Sequence, residues 1–92
     1  MAQPSDPRRR RALFRSWHRG LRETDLLMGR FADAEIADLN DTDLADYESL
    51  LDAQDRDVLA WLTGEAEVPP DYDTPVFRKL RDFHTHAGPI HI

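Results

Sequence analysis

The segment DRDVLAWLTG, residues 55–64, contains the densest group of apolar side chains in the chain. Asp55 suits the cap of a helix, and Gly64 suits its end. The apolar residues between them would cover more than one face of so short a helix. The segment therefore predicts a short, central helix with these residues in the core: Val58, Leu59, Trp61 and Leu62.

Two helices are predicted before residue 38 from the helical spacing of apolar residues. The first runs from about Arg8 to His18. The second begins near residue 21 or 22 and ends around residues 34–37. Gly29 lies inside it, where a glycine costs roughly 0.5–1 kcal/mol relative to alanine. We therefore expect some irregularity in the middle of the second helix.

Capping residues predict two further helices. Asn40 is placed to cap one of them, and Asp43 then lies in its first turn, beside the positive end of the helix dipole. Thr74 and Pro75 are typical of the start of the other, which ends near residue 86, and an extended connector over residues 68–71 precedes it. With no sustained period-two alternation in the chain, the predicted fold class is all-α, a compact bundle of five short helices.

Length and composition restrict the protein further. Its 92 residues suffice for one domain, and the lack of cysteine excludes a disulfide framework and thiolate metal sites. We expect a disordered leader at residues 1–7, a folded domain at 8–87 and a flexible tail at 88–92. No apolar run reaches the roughly 18–20 residues that span a bilayer, and no export signal follows the arginines. Removal of an arginine-rich mitochondrial transit peptide would also remove most of the first helix, so we expect a bacterial cytoplasmic protein in preference to one of the mitochondrial matrix.

The net charge of −6 is unevenly distributed. Residues 1–22 hold seven arginines against Asp6, a balance of +6, whereas residues 23–73 hold sixteen carboxylates against two arginines, a balance of −14. A nucleic-acid binder would need a sustained basic face, which the acidic body disfavours. The run Arg8 to Arg11 still leaves an alternative open: a small regulatory protein-binding module, antitoxin-like or tethered to nucleic acid through these arginines.

Enzymatic and metal chemistry have little support in the sequence. There is no P-loop, no G-x-S-x-G motif and no glycine pattern for dinucleotide binding, so we expect no catalytic residues and no tightly bound cofactor. Acid pairs such as Asp41 with Asp43 are explained by helix capping. The histidines at positions 84, 86 and 91 are interpreted as part of a frayed, solvated terminus, and no metal site is predicted.

The stretch HRGLRETD, residues 18–25, is the most unusual local sequence. It places four charged residues around Gly20, where the missing side chain would let another surface approach the backbone closely. A glycine between two helices is ordinarily only a helix stop, but the surrounding charges favour polar docking. The candidate partner-binding residues are Arg19, Gly20, Arg22, Glu23 and Asp25.

These residues carry a resemblance to a known family. Arg19-Gly20-Leu21-Arg22-Glu23 is similar to the R-G-x-x-E motif of the succinate dehydrogenase flavinylation factors, the bacterial SdhE type and its mitochondrial relatives. The similarity continues through Leu50-Leu51-Asp52 and residues 55–64, and it covers roughly residues 12–86. Two positions differ from the usual pattern, since family members commonly have arginine at position 18 and leucine at position 24.

The resemblance implies a five-helix assembly factor, and we expect the chain to be a monomer when alone and not to be an enzyme. Such a factor binds the flavoprotein subunit of succinate dehydrogenase, or of the related fumarate reductase, and promotes covalent attachment of FAD to a histidine of that subunit. FAD then belongs to the client and not to this chain. The motif positions carried over from the family are Arg19, Gly20 and Glu23.

Overall fold

The computed structural model describes residues 5–86 and confirms the all-α fold class. Its helices are α1 (Pro7–Trp17), α2 (Arg22–Glu35), α3 (Asp41–Asp52), α4 (Asp55–Thr63) and α5 (Pro75–His86), with a single 3₁₀ turn at Pro70–Tyr72. The Cα radius of gyration is 12.1 Å. Within this part of the chain, no helix has both the length and the apolar character needed to cross a membrane.

Capping residues define the helix starts largely as predicted. The Asn40 side chain accepts a hydrogen bond from the Asp43 amide at 2.8 Å, and the Thr74 hydroxyl accepts one from the Phe77 amide at 3.2 Å. α1 begins earlier than expected, because the Asp6 carboxylate caps it and Pro7 is its first residue. The predicted leader therefore loses these two residues to the helix, while residues 1–4 and 87–92 lie outside the described part.

The core is built mainly from α2, α3 and α5, which are 14, 12 and 12 residues long. Their apolar faces meet, and each contributes large side chains with almost no exposed surface. The largest fully buried side chains are Tyr47, Phe31, Phe77, Met28, Ile36, Leu44, Leu50 and Leu80. The hydroxyl of Tyr47 is satisfied in this core, since it lies 2.6 Å from the Ser16 hydroxyl, and burial raises the pKa of Tyr47.

The expectation that α4 is the central helix is wrong. Val58 is its one fully buried residue, and Leu59, Trp61 and Leu62 are each half-buried. The Trp61 ring stacks on Tyr72 of the 3₁₀ turn, with centroids 5.0 Å apart. Apolar density shows how much surface a helix can bury, but the longer helices α2, α3 and α5 already fill the centre. α4 also begins one residue differently, because Gln54 and not Asp55 occupies the cap position.

Gly29 has a packing role that explains its place inside α2. A Cβ atom added there would lie 2.3–2.6 Å from three ring carbons of Trp17, far inside van der Waals contact. The indole N–H of Trp17 donates to the Asp33 carboxylate at 3.1 Å, one turn further along α2. The glycine therefore lets α1 and α2 approach closely, and this contact fixes the angle from which the chain enters the α1–α2 turn.

Candidate functional site

The α1–α2 turn contains all five predicted site residues at or beside it. α1 ends at Trp17, His18 is its cap, and α2 begins at Arg22. Gly20 has a φ of +106°, a left-handed conformation that side-chain-bearing residues adopt only at a cost. This positive φ, which the spacing of charges did not reveal, makes glycine a requirement of the turn itself.

Arg19 points into the protein and is only 7% exposed. Its Nη2 donates to the Ala53 carbonyl at 2.7 Å, and its Nη1 donates to the Leu51 carbonyl. These carbonyls belong to the C-terminal end of α3, where helix carbonyls lack partners within the helix. The guanidinium therefore satisfies the end of α3 and interacts favourably with its dipole.

Asp55 completes this contact from the first residue of α4. Its Oδ1 lies 2.8 Å from Arg19 Nε in an ion pair whose carboxylate is 18% exposed. The Nε–H bond does not point at the oxygen, so this contact is electrostatic and not a hydrogen bond. Sequence reasoning assigned Asp55 to helix capping and missed this role, although the residue belongs to a segment that carries the family resemblance.

The Asp25 side chain also points toward the α1–α2 turn. Its Oδ1 accepts a hydrogen bond from the Arg19 backbone amide at 2.5 Å, and its side chain is half-buried. We call Arg19, Asp25 and Asp55 the inner cluster. It ties the α1–α2 turn to the α3–α4 turn, because its members come from both. Thr24 precedes Asp25 in the chain and is fully buried, and its hydroxyl makes no hydrogen bond.

The remaining three predicted residues face outward. Gly20 and Arg22 are exposed and Glu23 is half-exposed. Within residues 5–84, neither the Arg22 guanidinium nor the Glu23 carboxylate makes a hydrogen bond or an ion pair. We call Gly20, Arg22 and Glu23 the outer face. It presents one positive and one negative group, both with unused hydrogen-bonding capacity, on a turn that the inner cluster holds in place.

Gly20 lies between the inner cluster and the outer face. A Cβ atom at this position would lie 3.0 Å from Oδ2 of Asp55, closer than nearly all real Cβ contacts. Any larger residue would therefore press on the inner cluster as well as strain the backbone. The left-handed backbone favours glycine here, Asp55 leaves little room on the inner side, and the outer side of the backbone stays accessible.

The arginines of α1 are less available than their sequence suggests. Arg8 makes a forked contact with Glu48, Nε lying 3.0 Å from Oε1 and 3.1 Å from Oε2, and these hydrogen bonds lower the pKa of Glu48. Arg9 donates to the Ile36 carbonyl at 2.7 Å, and Arg15 pairs with Asp52 at 2.6 Å. Arg8, Arg9 and Arg15 therefore hold α1 against the acidic body of the protein. Because these side chains are already bonded within the protein, they are less available to bind nucleic acid.

The histidines differ from expectation at position 84. His84 is half-buried, and its Nε2 lies 2.6 Å from the Leu27 carbonyl on α2, so its interpretation as part of a solvated terminus is wrong. Burial lowers the pKa of His84. The side chain of His86 and the whole of His91 lie outside the described part. Among the residues described, no three histidine or acidic side chains are grouped for a metal ion.

A groove of about 610 Å³ lies between α4, the following loop and α5. Leu62, Val68 and Phe77 supply apolar lining, and the charged lining residues carry both signs: Glu67, Asp73 and Arg81.

The family to which this arrangement belongs is given by comparison with known proteins. The family model described as "Flavinator of succinate dehydrogenase" matches residues 10–84, which include the turn, the inner cluster and the outer face. The chain belongs to this family. This match confirms the resemblance that the R-G-x-x-E motif indicated. It covers most of the helices in the described part of the flavinator-family chain.

Individual relatives agree with that assignment. The chain is 39% identical over 82 residues to "Succinate dehydrogenase assembly factor 2, mitochondrial" of Dictyostelium discoideum, covering 89% of this chain and 57% of the relative. It is 38% identical over 73 residues to "FAD assembly factor SdhE" of Acetobacter pasteurianus, covering 79% and 67%. A Drosophila melanogaster assembly factor 2-B is 33% identical over 82 residues, covering 87% and 53%. The chain thus spans between about half and two thirds of these flavinator-family relatives.

Proposed function

We propose that this chain is an assembly factor that binds the flavoprotein subunit of succinate dehydrogenase, and of the related fumarate reductase, and promotes covalent attachment of FAD to it. The observation that carries the proposal is the outer face. Arg22 and Glu23 have no hydrogen bond or ion pair in the described structure, yet they stand on a turn held by a buried ion pair. Polar groups kept unpaired on a rigid turn are suited to directional contacts with a protein partner.

The five candidate residues take two different roles in this proposal. Arg22 donates and Glu23 accepts charged hydrogen bonds across the interface, and Gly20 lets the partner approach the backbone. Arg19 and Asp25 position the turn from inside, since Arg19 is only 7% exposed and bonded to the end of α3. Loss of an inner residue would therefore displace the outer face without removing any of its groups.

The chemistry itself stays in the partner. Covalent flavinylation requires a partner histidine and the flavin ring in one geometry, and the cofactor supplies the electronics of the reaction. A small factor assists if it binds the aligned conformation of the flavoprotein more tightly than other conformations. No catalytic residue of this chain is needed, so we propose that it is not an enzyme and that it binds FAD weakly or not at all when alone.

Glu23→Ala tests the proposal in a flavinylation assay with purified apo-flavoprotein, FAD and this chain. We expect covalent flavin, detected by its fluorescence on a denaturing gel, to fall to the level without the factor, while the circular dichroism melt is unchanged. Glu35→Ala, at the other end of α2, is the matched control and should support normal flavinylation. Wild-type flavinylation by Glu23→Ala would show that the motif does not contact the client.

Calorimetry separates the proposal from a flavin-carrier role. The wild-type chain is titrated first with FAD and then with the apo-flavoprotein. We expect heat from the second titration, with one factor bound per flavoprotein subunit. Tight, stoichiometric binding of FAD by the chain alone would make it a carrier of flavin, and no binding to the apo-flavoprotein would overturn the assembly role.

A further inference from the structure

Phe14 on α1 is 62% exposed, which sets it apart from every other large apolar side chain in the described part of the protein. A single exposed apolar residue is common on protein surfaces and carries little meaning alone. Phe14, however, stacks on His18 with ring centroids 3.9 Å apart and planes inclined by 16°. The His18 Nδ1 also lies 2.7 Å from the Phe14 carbonyl, which fixes the imidazole. The two rings form a preordered aromatic surface.

The aromatic pair lies close to the outer face along the chain. His18 is the cap of α1 and lies two residues before Gly20, and both residues are exposed. The aromatic pair and the outer face therefore lie at the same end of α1, on either side of one turn. Neither the family motif nor the arrangement of charges pointed to Phe14.

Cations border the aromatic pair along α1. Arg10 and Arg11 precede Phe14 by four and three residues, the spacing that places side chains on one side of a helix. Both are exposed, and neither side chain forms a hydrogen bond or an ion pair among the residues described. Arg8, Arg9 and Arg15, in contrast, form hydrogen bonds to other parts of the protein.

We propose that the stacked rings of Phe14 and His18 are the apolar anchor of the partner interface, and that they insert into an apolar pocket bordered by carboxylates on the flavoprotein subunit. The proposal rests on the proposed function and adds a second contact to the outer face. Rigid aromatic side chains are the commonest anchors of interfaces because they bury large areas at low entropic cost. A second copy of this chain is disfavoured as the occupant, since a two-fold contact here would bring the Arg10 and Arg11 pairs of two copies together.

The test is calorimetric titration of the full chain into purified apo-flavoprotein subunit. Phe14→Ala is expected to raise the Kd by roughly tenfold or more, in the range of interface anchors. Its melting temperature should remain near the wild-type value because the ring is largely exposed. Phe14→Tyr keeps the ring and should restore most of the affinity. Trp61→Leu removes a half-buried aromatic ring that belongs neither to the outer face nor to the aromatic pair, and it serves as the control with wild-type affinity.

Charge reversal gives an independent readout. Arg10→Glu with Arg11→Glu should slow association several-fold at low salt and reduce its salt dependence, because rim charges act mainly on the association rate. Phe14→Ala should instead speed dissociation. A general loss of folding would not slow association in one variant and speed dissociation in the other.

The outcomes distinguish this inference from the proposed function. Wild-type affinity for Phe14→Ala, together with weakened binding of Glu23→Ala, would overturn the aromatic anchor and leave the assembly role standing. No binding of the wild-type chain to the apo-flavoprotein would overturn both the aromatic anchor and the assembly role. If sedimentation shows a wild-type dimer that Phe14→Ala dissociates, the surface joins two copies of this chain and the anchor is again overturned.

Discussion

Apart from Asp55 on α4, the residues of the inner cluster and of the outer face come from the same eight-residue stretch, residues 18–25, but they differ in nearly every physical property. The Arg19 side chain is 7% exposed, donates hydrogen bonds to two backbone carbonyls and forms an ion pair with a carboxylate, whereas Arg22, three residues later, is exposed and has no hydrogen bond or ion pair within residues 5–84. Asp25 accepts a hydrogen bond from the turn, and Glu23 is left without a partner there. Charged residues that look equivalent in the sequence therefore have two different roles. Some hold the turn in place, and others are exposed on its surface.

This difference predicts that stability and function can be separated within one motif. Substitutions in the inner cluster should act first on folding, since buried charges lose their partners. Substitutions on the outer face should act on binding with little effect on folding. The predictions below run from the largest expected effect on stability to the smallest.

Arg19→Ala is expected to cause the largest loss, roughly 2–4 kcal/mol of unfolding free energy, because it leaves Asp55 and two helix-end carbonyls without their partner. Arg22→Ala is the matched control, and it should change stability by no more than about 0.5 kcal/mol. Chemical denaturation of both variants, followed by circular dichroism, makes the measurement. Equal stability of the two variants would contradict the division into inner and outer residues.

Gly20→Ala should cost about 1–2 kcal/mol for its left-handed backbone, plus the strain of a Cβ atom 3.0 Å from the Asp55 carboxylate. Gly64→Ala provides the comparison, since its φ is +81° but no atom lies within 4 Å of the added Cβ. Thermal melts should show Gly20→Ala to be the less stable variant. If Gly64→Ala melts at the same temperature or lower, Asp55 does not restrict the motif glycine.

Lowering the pH should produce the smallest effect, through Glu48. The Arg8 hydrogen bonds lower the folded-state pKa of Glu48, so the contact stabilises the protein above the unfolded pKa of about 4.3. That contribution is lost as the pH falls through the lower folded-state value. Glu48→Gln should therefore flatten the decline of stability in acid, measured by melts between about pH 6 and 3.

The control for this pH series is Glu65→Gln, which removes an exposed carboxylate without an ion pair in the described structure. It should leave the steepness of the acid decline as in the wild type. An identical decline for Glu48→Gln and Glu65→Gln would show that the Arg8 contact does not contribute to stability in solution.

The helices could be predicted from the sequence because their signals are local. Asn40 and Thr74 cap α3 and α5 through bonds to amides three residues away. The position of α4 could not be predicted in this way. Its apolar residues show that it buries surface, but which helix occupies the centre depends on the competing faces of α2, α3 and α5.

The site was only half predictable for the same reason. The charges around Gly20 identified the turn, but the partners of Arg19 at Leu51 and Ala53 lie 32 and 34 residues away along the chain. His84 similarly contacts Leu27, 57 residues away. A pattern of residues along the chain shows which groups carry charge, and only the packing of the helices decides which of them become buried.

The contact between Trp17 and Gly29 has a consequence for how this sequence can diverge. The indole ring fills the space that a side chain at position 29 would need, with the nearest ring atom 2.3 Å from the missing Cβ. Position 29 cannot then enlarge on its own, because a larger residue there becomes tolerable only after the ring at position 17 has become smaller. Substitutions at these two positions should therefore be correlated across homologous sequences, with their combined volume varying less than either volume alone.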